Sequence, residues 1–367
     1  DPNKREADLR LDQRQSALDA GAIDPSESLI LERIRSDDSE LLMPPPDSNR
    51  HLSPSEKKTL SRWIQEGAHY QTHWSFVTPI QNDSPAVKNP SLKNWPLNPI
   101  DAFILAELEK NGLVPSPEAD KETLIRRLYV DLIGLPPSPK EVDEFLANQS
   151  PGAYEKLVDQ LLASQHYGER MALAWLDAAR FADSNGFQQD GDTWQWIWRD
   201  WVIDALNRDM PFDRFSIEQL AGDLLPDATQ QQHIATAFNR NHLLNGEGGA
   251  IAEEQRFNNL FDRVDTTSTT WLGLTMACAQ CHDHKYDPLT QADYYRLLHV
   301  FNQVPETGRP GRQSSRIRIA PPFLEVATAD QKKELARLKQ NMRQLEKKAK
   351  PIIDVAYEAW KSGLFSD

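Results

Sequence analysis

Only two cysteines occur in the 367 residues, and a histidine directly follows the second: Cys278, Cys281 and His282, in the run Met276-Ala-Cys-Ala-Gln-Cys-His-Asp-His-Lys-Tyr-Asp-Pro288. Thiols and an imidazole at C-x-x-C-H spacing fit one chemistry closely. The two thiols can add to the vinyl groups of a porphyrin while the adjacent imidazole reaches the iron from the same side, which is how haem c is attached covalently. A helical turn would present the three groups together, because residues three and four apart share a face. A redox dithiol, a disulfide and half of a zinc site use the same pair. Zinc would have to recruit histidines or carboxylates, since there is no second cysteine pair, and a thioredoxin-like dithiol belongs beside a βαβ pattern that this sequence lacks.

An iron held at His282 has an opposite face to fill. The segment Asn239-Arg-Asn-His-Leu-Leu-Asn-Gly-Glu-Gly-Gly249 departs most from its helical surroundings. Its glycines permit unusual backbone angles, and its dense polar side chains are costly to bury unless something satisfies them. His242 is therefore the leading candidate for the second axial ligand, against the plainer reading of a hydrogen-bonded structural histidine. His284 and Met276 have suitable donor atoms but sit too near His282 in sequence to reach the far side. Arg263 has two readings, a contact to a haem propionate or a simple ion pair with Asp262. Far upstream, Met43 precedes three prolines, and a methionine on a stiff loop ahead of a helix is how small cytochromes supply an axial sulfur; ordinary packing is the alternative.

The elements that must position these residues read as helices. Apolar periodicity and caps predict helices over Ser26–Ile34, from Ser53 to Gly67, and over Ile100–Leu108, Leu124–Leu132, Pro139–Ala147 and Ala153–Ala163. Further helices are predicted over Gly168–Phe181, Trp194–Asn207, Phe215–Leu224, Gln230–Asn239 and Gln291–Phe301, with one long helix or pair over Ala250–Met276 leading into the cysteines. Strand-like alternation is almost absent, so the fold class is all-α. Ser53, Pro54 and Glu56 form a capping box. Trp194, Trp198 and Trp201 share helical spacing, which favours core over a stacking platform, with Trp196 pointing elsewhere. Asp183-Ser-Asn-Gly186 and Gln188-Gln-Asp-Gly-Asp192 read as a solvated polar turn rather than a calcium loop, as EF-hand spacing is missing. The expected organisation is 1–72 as the latter part of a small helical domain, 73–97 as an extended linker, and 98–303 as the main helical domain. Beyond it lie 304–328 as a basic loop and 329–367 as a helical hairpin or tail.

Composition narrows the function. With 55 acidic against 41 basic side chains the formal net charge is −14, which argues against nucleic acid or an anionic membrane surface as partner. No apolar run approaches the length of a membrane span. The chain begins at Asp1, so a processed or truncated product is expected, with any targeting segment lying upstream.

Arg10-Leu-Asp12, Ser28-Leu-Ile30, Met43-Pro-Pro-Pro46 and Trp63-Ile-x-x-Gly-Ala68 resemble the second half of the planctomycete-type cytochrome c-like domain. The resemblance implies a C-x-x-C-H upstream of this chain's start, with Met43 as a ligand to a second haem in the intact protein. Tyr167-Gly-Glu-Arg170, Trp175-Leu-Asp, Arg180-Phe-Ala-Asp-Ser-Asn-Gly186, Glu218-Gln-Leu-Ala-Gly-Asp-Leu-Leu-Pro226, Asp262-Arg-Val-Asp-Thr-Thr267 and the Cys278–Pro288 run resemble the helical domain of uncharacterised function that follows it in large secreted or periplasmic proteins. That resemblance implies a periplasmic, cell-surface or secreted location and a polysaccharide-related setting. Two function classes follow. One is a c-type haem electron-transfer or peroxidase-like module at Cys278, Cys281 and His282, served by a redox partner protein. The other is a carbohydrate-active enzyme or binding module in which the cysteines are a disulfide or metal site and catalysis lies in the His242–Glu247 loop.

Overall fold

The computed structural model describes residues 9–11, 13–71, 74–186, 190–245, 247, 249–309, 311–312 and 318–364. It is all-α, with a single two-residue antiparallel pair, Gly311–Arg312 with Arg318–Ile319, among the described residues. The chain divides into two compact units, Asp1–Glu118 and Ala119–Asp367.

The first unit holds α1 (Arg14–Asp19), α2 (Leu29–Arg35), α3 (Pro54–Gln65) and α4 (Pro99–Lys110). The capping box of α3 forms as its sequence predicts, with the Ser53 hydroxyl accepting from the Glu56 amide and the Glu56 carboxylate accepting from the Ser53 amide. Ala17, Ile23, Ile64 and Ala68 make a small core. Arg14 donates to the carbonyls of Gly67 and Ala68 just past α3, tying α1 to that turn. The second helix starts at Leu29 rather than Ser26, because Ser28 is its cap and Asp24 binds Ser26 in a turn of its own. Met43 lies exposed on the loop ahead of α3. In the connector, the Glu109 carboxylate of α4 accepts from the amides of Lys88 and Asn89, which fixes a segment that has few contacts of its own.

The second unit contains α5 (Lys121–Leu132), α6 (Pro139–Ala147), α7 (Ala153–Leu162), α8 (Gln165–Ala178), α9 (Trp196–Asn207), α10 (Phe212–Ala221), α11 (Gln230–Ala235), α12 (Ala252–Thr267), α13 (Gln291–Phe301) and α14 (Ala329–Leu364). Helices α8 and α9 cross closely at Gly168, where a Cβ would come within 2.5 Å of the Ile203 carbonyl oxygen. One core gathers Trp198, Trp201, Phe215 and Phe238; another, between α12 and α13, gathers Leu260, Val264, Met276, Tyr294 and Leu298.

Three expectations are corrected here. Trp194 is not on the α9 core face with Trp198 and Trp201; α9 begins two residues later, and Trp194 is exposed. The helix before the cysteines ends at Thr267, passes through a π turn over Ser268–Leu272, and stops at Gly273 with φ +62°. The hairpin expected after residue 329 is one 36-residue helix with Pro351 inside it. A lone proline removes one backbone hydrogen bond, and without a glycine or turn sequence beside it the chain has no means to reverse.

Candidate functional site

The cysteines sit on a short 3₁₀ turn, Met276–Gln280, with the Cys281 amide donating to the Cys278 carbonyl. In a 3₁₀ turn residues three apart eclipse one another. Met276 and Ala279 take the inward side, against α12 and α13, so Cys278 and Cys281 fall together on the outward side as exposed free thiols. The inward side is tied down: the Ser268 hydroxyl lies 3.0 Å from the Met276 sulfur. The turn is also fastened to α13, where Gln291 Nε2 and the Tyr295 hydroxyl each donate to the Gln280 carbonyl at 3.1 Å.

His282 is exposed, and its Nδ1 lies 2.8 Å from the Asp283 carbonyl oxygen. A carbonyl can only accept, so the proton belongs on Nδ1 and Nε2 keeps its lone pair outward. Histidines that bind metals are oriented in this way. His284 plays a different part. Its Nδ1 accepts from the amides of Asp287 and Tyr286, at 2.8 and 3.2 Å, and folds the loop after the motif. Haem c therefore fits the residues present: two unjoined exposed thiols one turn apart, and an imidazole beside them with a free nitrogen. Among the described residues no group of three or more histidine, cysteine or acidic side chains is arranged to hold a bare metal ion.

His242 and Arg263 come together, but with each other. His242 is buried, its Nε2 3.0 Å from an Arg263 guanidinium nitrogen and its Nδ1 3.0 Å from the Leu243 carbonyl. Both ring nitrogens are thus engaged, and in this arrangement neither is offered to an iron at His282. Arg263 does not pair with Asp262. It makes a two-pronged bond to Glu306 at 2.6 and 2.7 Å, with side chains 2% and 1% exposed, while Asp262 pairs with Arg180. Burial, and next the Arg263 charge, pull the His242 pKa down to about 3, so the ring is neutral. Met276 is buried and held by Ser268, which removes the third candidate for the far face. Met43 belongs to the first compact unit.

Behind the cysteine turn lies an acidic string the sequence did not disclose. Burial, and then Asp262, push the Asp265 carboxyl up to about 6; burial, then Asp265, with Tyr295 and Cys281 beyond, push the Tyr294 phenol above its ordinary value. Glu306 was also missed, because it lies in the stretch read as a basic loop. The signal was present: Glu306 is the one carboxylate in the segment Val304–Pro322. Of the His242–Glu247 loop, Glu247 is exposed; Gly246 and Gly248, like Asp12, His73, Gln188 and Gln189, lie outside the described residues.

A family model described as a protein of unknown function, PSCyt2 (DUF1549), matches residues 99–306, which includes the cysteine turn and ends on Glu306. The chain belongs to the PSCyt2 family. A second family model, planctomycete cytochrome C (PSCyt1), matches residues 1–47 at the N-terminal end of the chain, a shorter stretch than the 72 residues expected from sequence. No curated protein and no solved structure matches the chain. The PSCyt2 match thus takes in every residue of the Arg263–Glu306–His242 cluster together with the C-x-x-C-H turn, so both belong to the family region of this chain.

Proposed function

We propose that this PSCyt2 chain is a c-type haem module that passes electrons to or from a protein partner, with Cys278 and Cys281 as attachment points and His282 as proximal ligand. The observation that carries this reading is the cysteine turn: both thiols lie free on its outward side, beside an imidazole whose Nδ1 is fixed on Asp283. When bound, haem supplies one-electron chemistry at its iron. The protein's part is to hold the turn rigid through Ser268, Gln291 and Tyr295 and to set the tautomer of His282. The acidic surface suits a partner with a basic docking face, since complementary charge steers encounter. Covalent haem attachment places the chain outside the cytoplasm, in the periplasm or at the cell surface. In the first unit, the PSCyt1 match supports a cytochrome c-like origin. In our reading residues 1–72 are the latter part of that domain, and Met43 is the sulfur ligand of a second haem in the intact protein.

The test is expression of the full chain with a c-type maturation system, followed by oxidised and reduced absorption spectra and a pyridine haemochrome assay after acid/acetone extraction. Haem that survives extraction, is lost in the Cys278→Ala/Cys281→Ala variant and changes its spectrum in His282→Ala supports the reading. Protein that emerges without covalent haem overturns it.

A further inference from the structure

The second unit carries an open cleft of about 330 Å³ lined by Asp183, Asp192, Trp194, Trp196 and Arg199. It uses none of the residues of the cysteine turn or the His242 cluster. Two of its walls are tryptophans that stand outside the aromatic core. Trp175, Trp198, Trp201 and Trp271 all pack ring against ring in the core. Trp194 and Trp196 are instead 48% and 46% exposed, and neither makes a ring contact among the described residues.

Trp194 is held there at a cost. Its φ is +59°, in the left-handed region that a bulky side chain rarely adopts, and the Thr193 amide bonded to the Asp183 carbonyl keeps the neighbouring strands of the loop together. A loop that only had to turn would be served better by glycine or asparagine. The chain instead keeps an indole, turned to solvent beside two carboxylates.

The polar groups narrow the ligand. Among the described residues no cation is bonded to the Asp183 and Asp192 carboxylates, and the lining cation Arg199 is already bonded to Asp200. Ionised carboxylates only accept hydrogen bonds, so the ligand has to bring donors, and an anionic ligand is disfavoured. Both indole faces need an apolar surface to cover them. Hydroxyl donors on the edge and C–H groups on the face are the two aspects of a sugar ring. A cation would suit the carboxylates too, and the titration below sets oligolysine against the sugars to tell the two apart. Two exposed indoles on one cleft suit stacking against the rings of a sugar chain.

We propose that this cleft binds a neutral oligosaccharide, with Trp194 and Trp196 stacking on sugar faces and Asp183 and Asp192 accepting from hydroxyls. The site is independent of haem. Isothermal titration of the full chain, prepared with and without haem, would be run against neutral gluco-, manno- and xylo-oligosaccharides, an oligouronate and oligolysine. The expected result is binding of at least one neutral series, weakened about tenfold or more by Trp196→Ala, with the oligouronate silent. Trp194→Gly is the second variant: glycine is at ease at this φ, so it should lose affinity while its Tm holds or rises, which a structural tryptophan would not do. Absence of any neutral-sugar binding at millimolar concentration, binding unchanged in both variants, or tryptophan-dependent binding of oligolysine instead would each overturn the proposal.

Discussion

Arg263 and Glu306 are both almost fully out of water and face each other through two bonds. Removing one partner strands the other, so Glu306→Gln should cost about 3–5 kcal/mol in urea unfolding, while an apolar replacement of both should recover most of it. Their neighbour His242 sets a pH dependence. Its folded pKa of about 3 lies below the ordinary 6.5, so folding requires the neutral ring. That contribution is complete above about 6.5 and is lost as pH falls toward 3, by up to about 1.4 kcal/mol for each unit. Asp265 has the opposite sign: with its folded pKa raised to about 6, its contribution is complete below its ordinary 3.8 and is lost as pH rises through 6. Stability followed against pH should therefore become shallower between about pH 6.5 and 3 in His242→Gln and gain at neutral pH in Asp265→Asn. At this scale the sequence was informative about chemistry and poor about pairing. C-x-x-C-H is a local pattern and could be read directly. Arg263 finds a carboxylate 43 residues away in preference to the Asp262 next to it, because adjacent residues on a helix point in different directions.

Periodicity and caps located the helices well, since α3, α6 and α13 each begin on a side chain whose capping role is written in four residues. What they concealed is where a helix changes its winding. The stretch from Ala252 to Gln280 passes from α to π, stops at Gly273 and resumes as a 3₁₀ turn; the polar run 265–270 and Gly273 mark the change, while the apolar residues on either side read as one element. The distinction matters, since the final 3₁₀ turn is what puts both thiols on one side. Another close fit decides where Glu306 comes to rest. Gly308, at φ +64°, lies so near the start of α12 that a Cβ would stand 2.1 Å from the Ala252 carbonyl oxygen. Gly308→Ala should push the 304–309 segment off α12 and lower stability by more than about 2 kcal/mol. Thermal denaturation checks the loss, and a titration in which His242→Gln no longer alters the acid slope would show that the cluster itself has opened.

Each compact unit has a core of its own, one on Ile23 and Ile64 and the other on the α8 to α13 helices. Unfolding of the whole chain should accordingly depart from two-state behaviour in calorimetry. Ser53→Ala, which removes a cap worth about 1 kcal/mol, should move chiefly the transition of the first unit, and Glu306→Gln that of the second. A single transition shifted alike by both would contradict this. The proline-rich connector and α4 share the first unit, tied by Glu109. The Arg263–Glu306 bond also has a meaning in time. Synthesis runs at about 5–20 residues per second, so roughly 2–9 s separate the making of the two ends of this 43-residue span. The cysteine turn and α13 are both made inside that interval. Until Glu306 is made, the Arg263 guanidinium that lies in the folded interior lacks its carboxylate, so completion of this core waits on a residue made after the cysteine turn and α13.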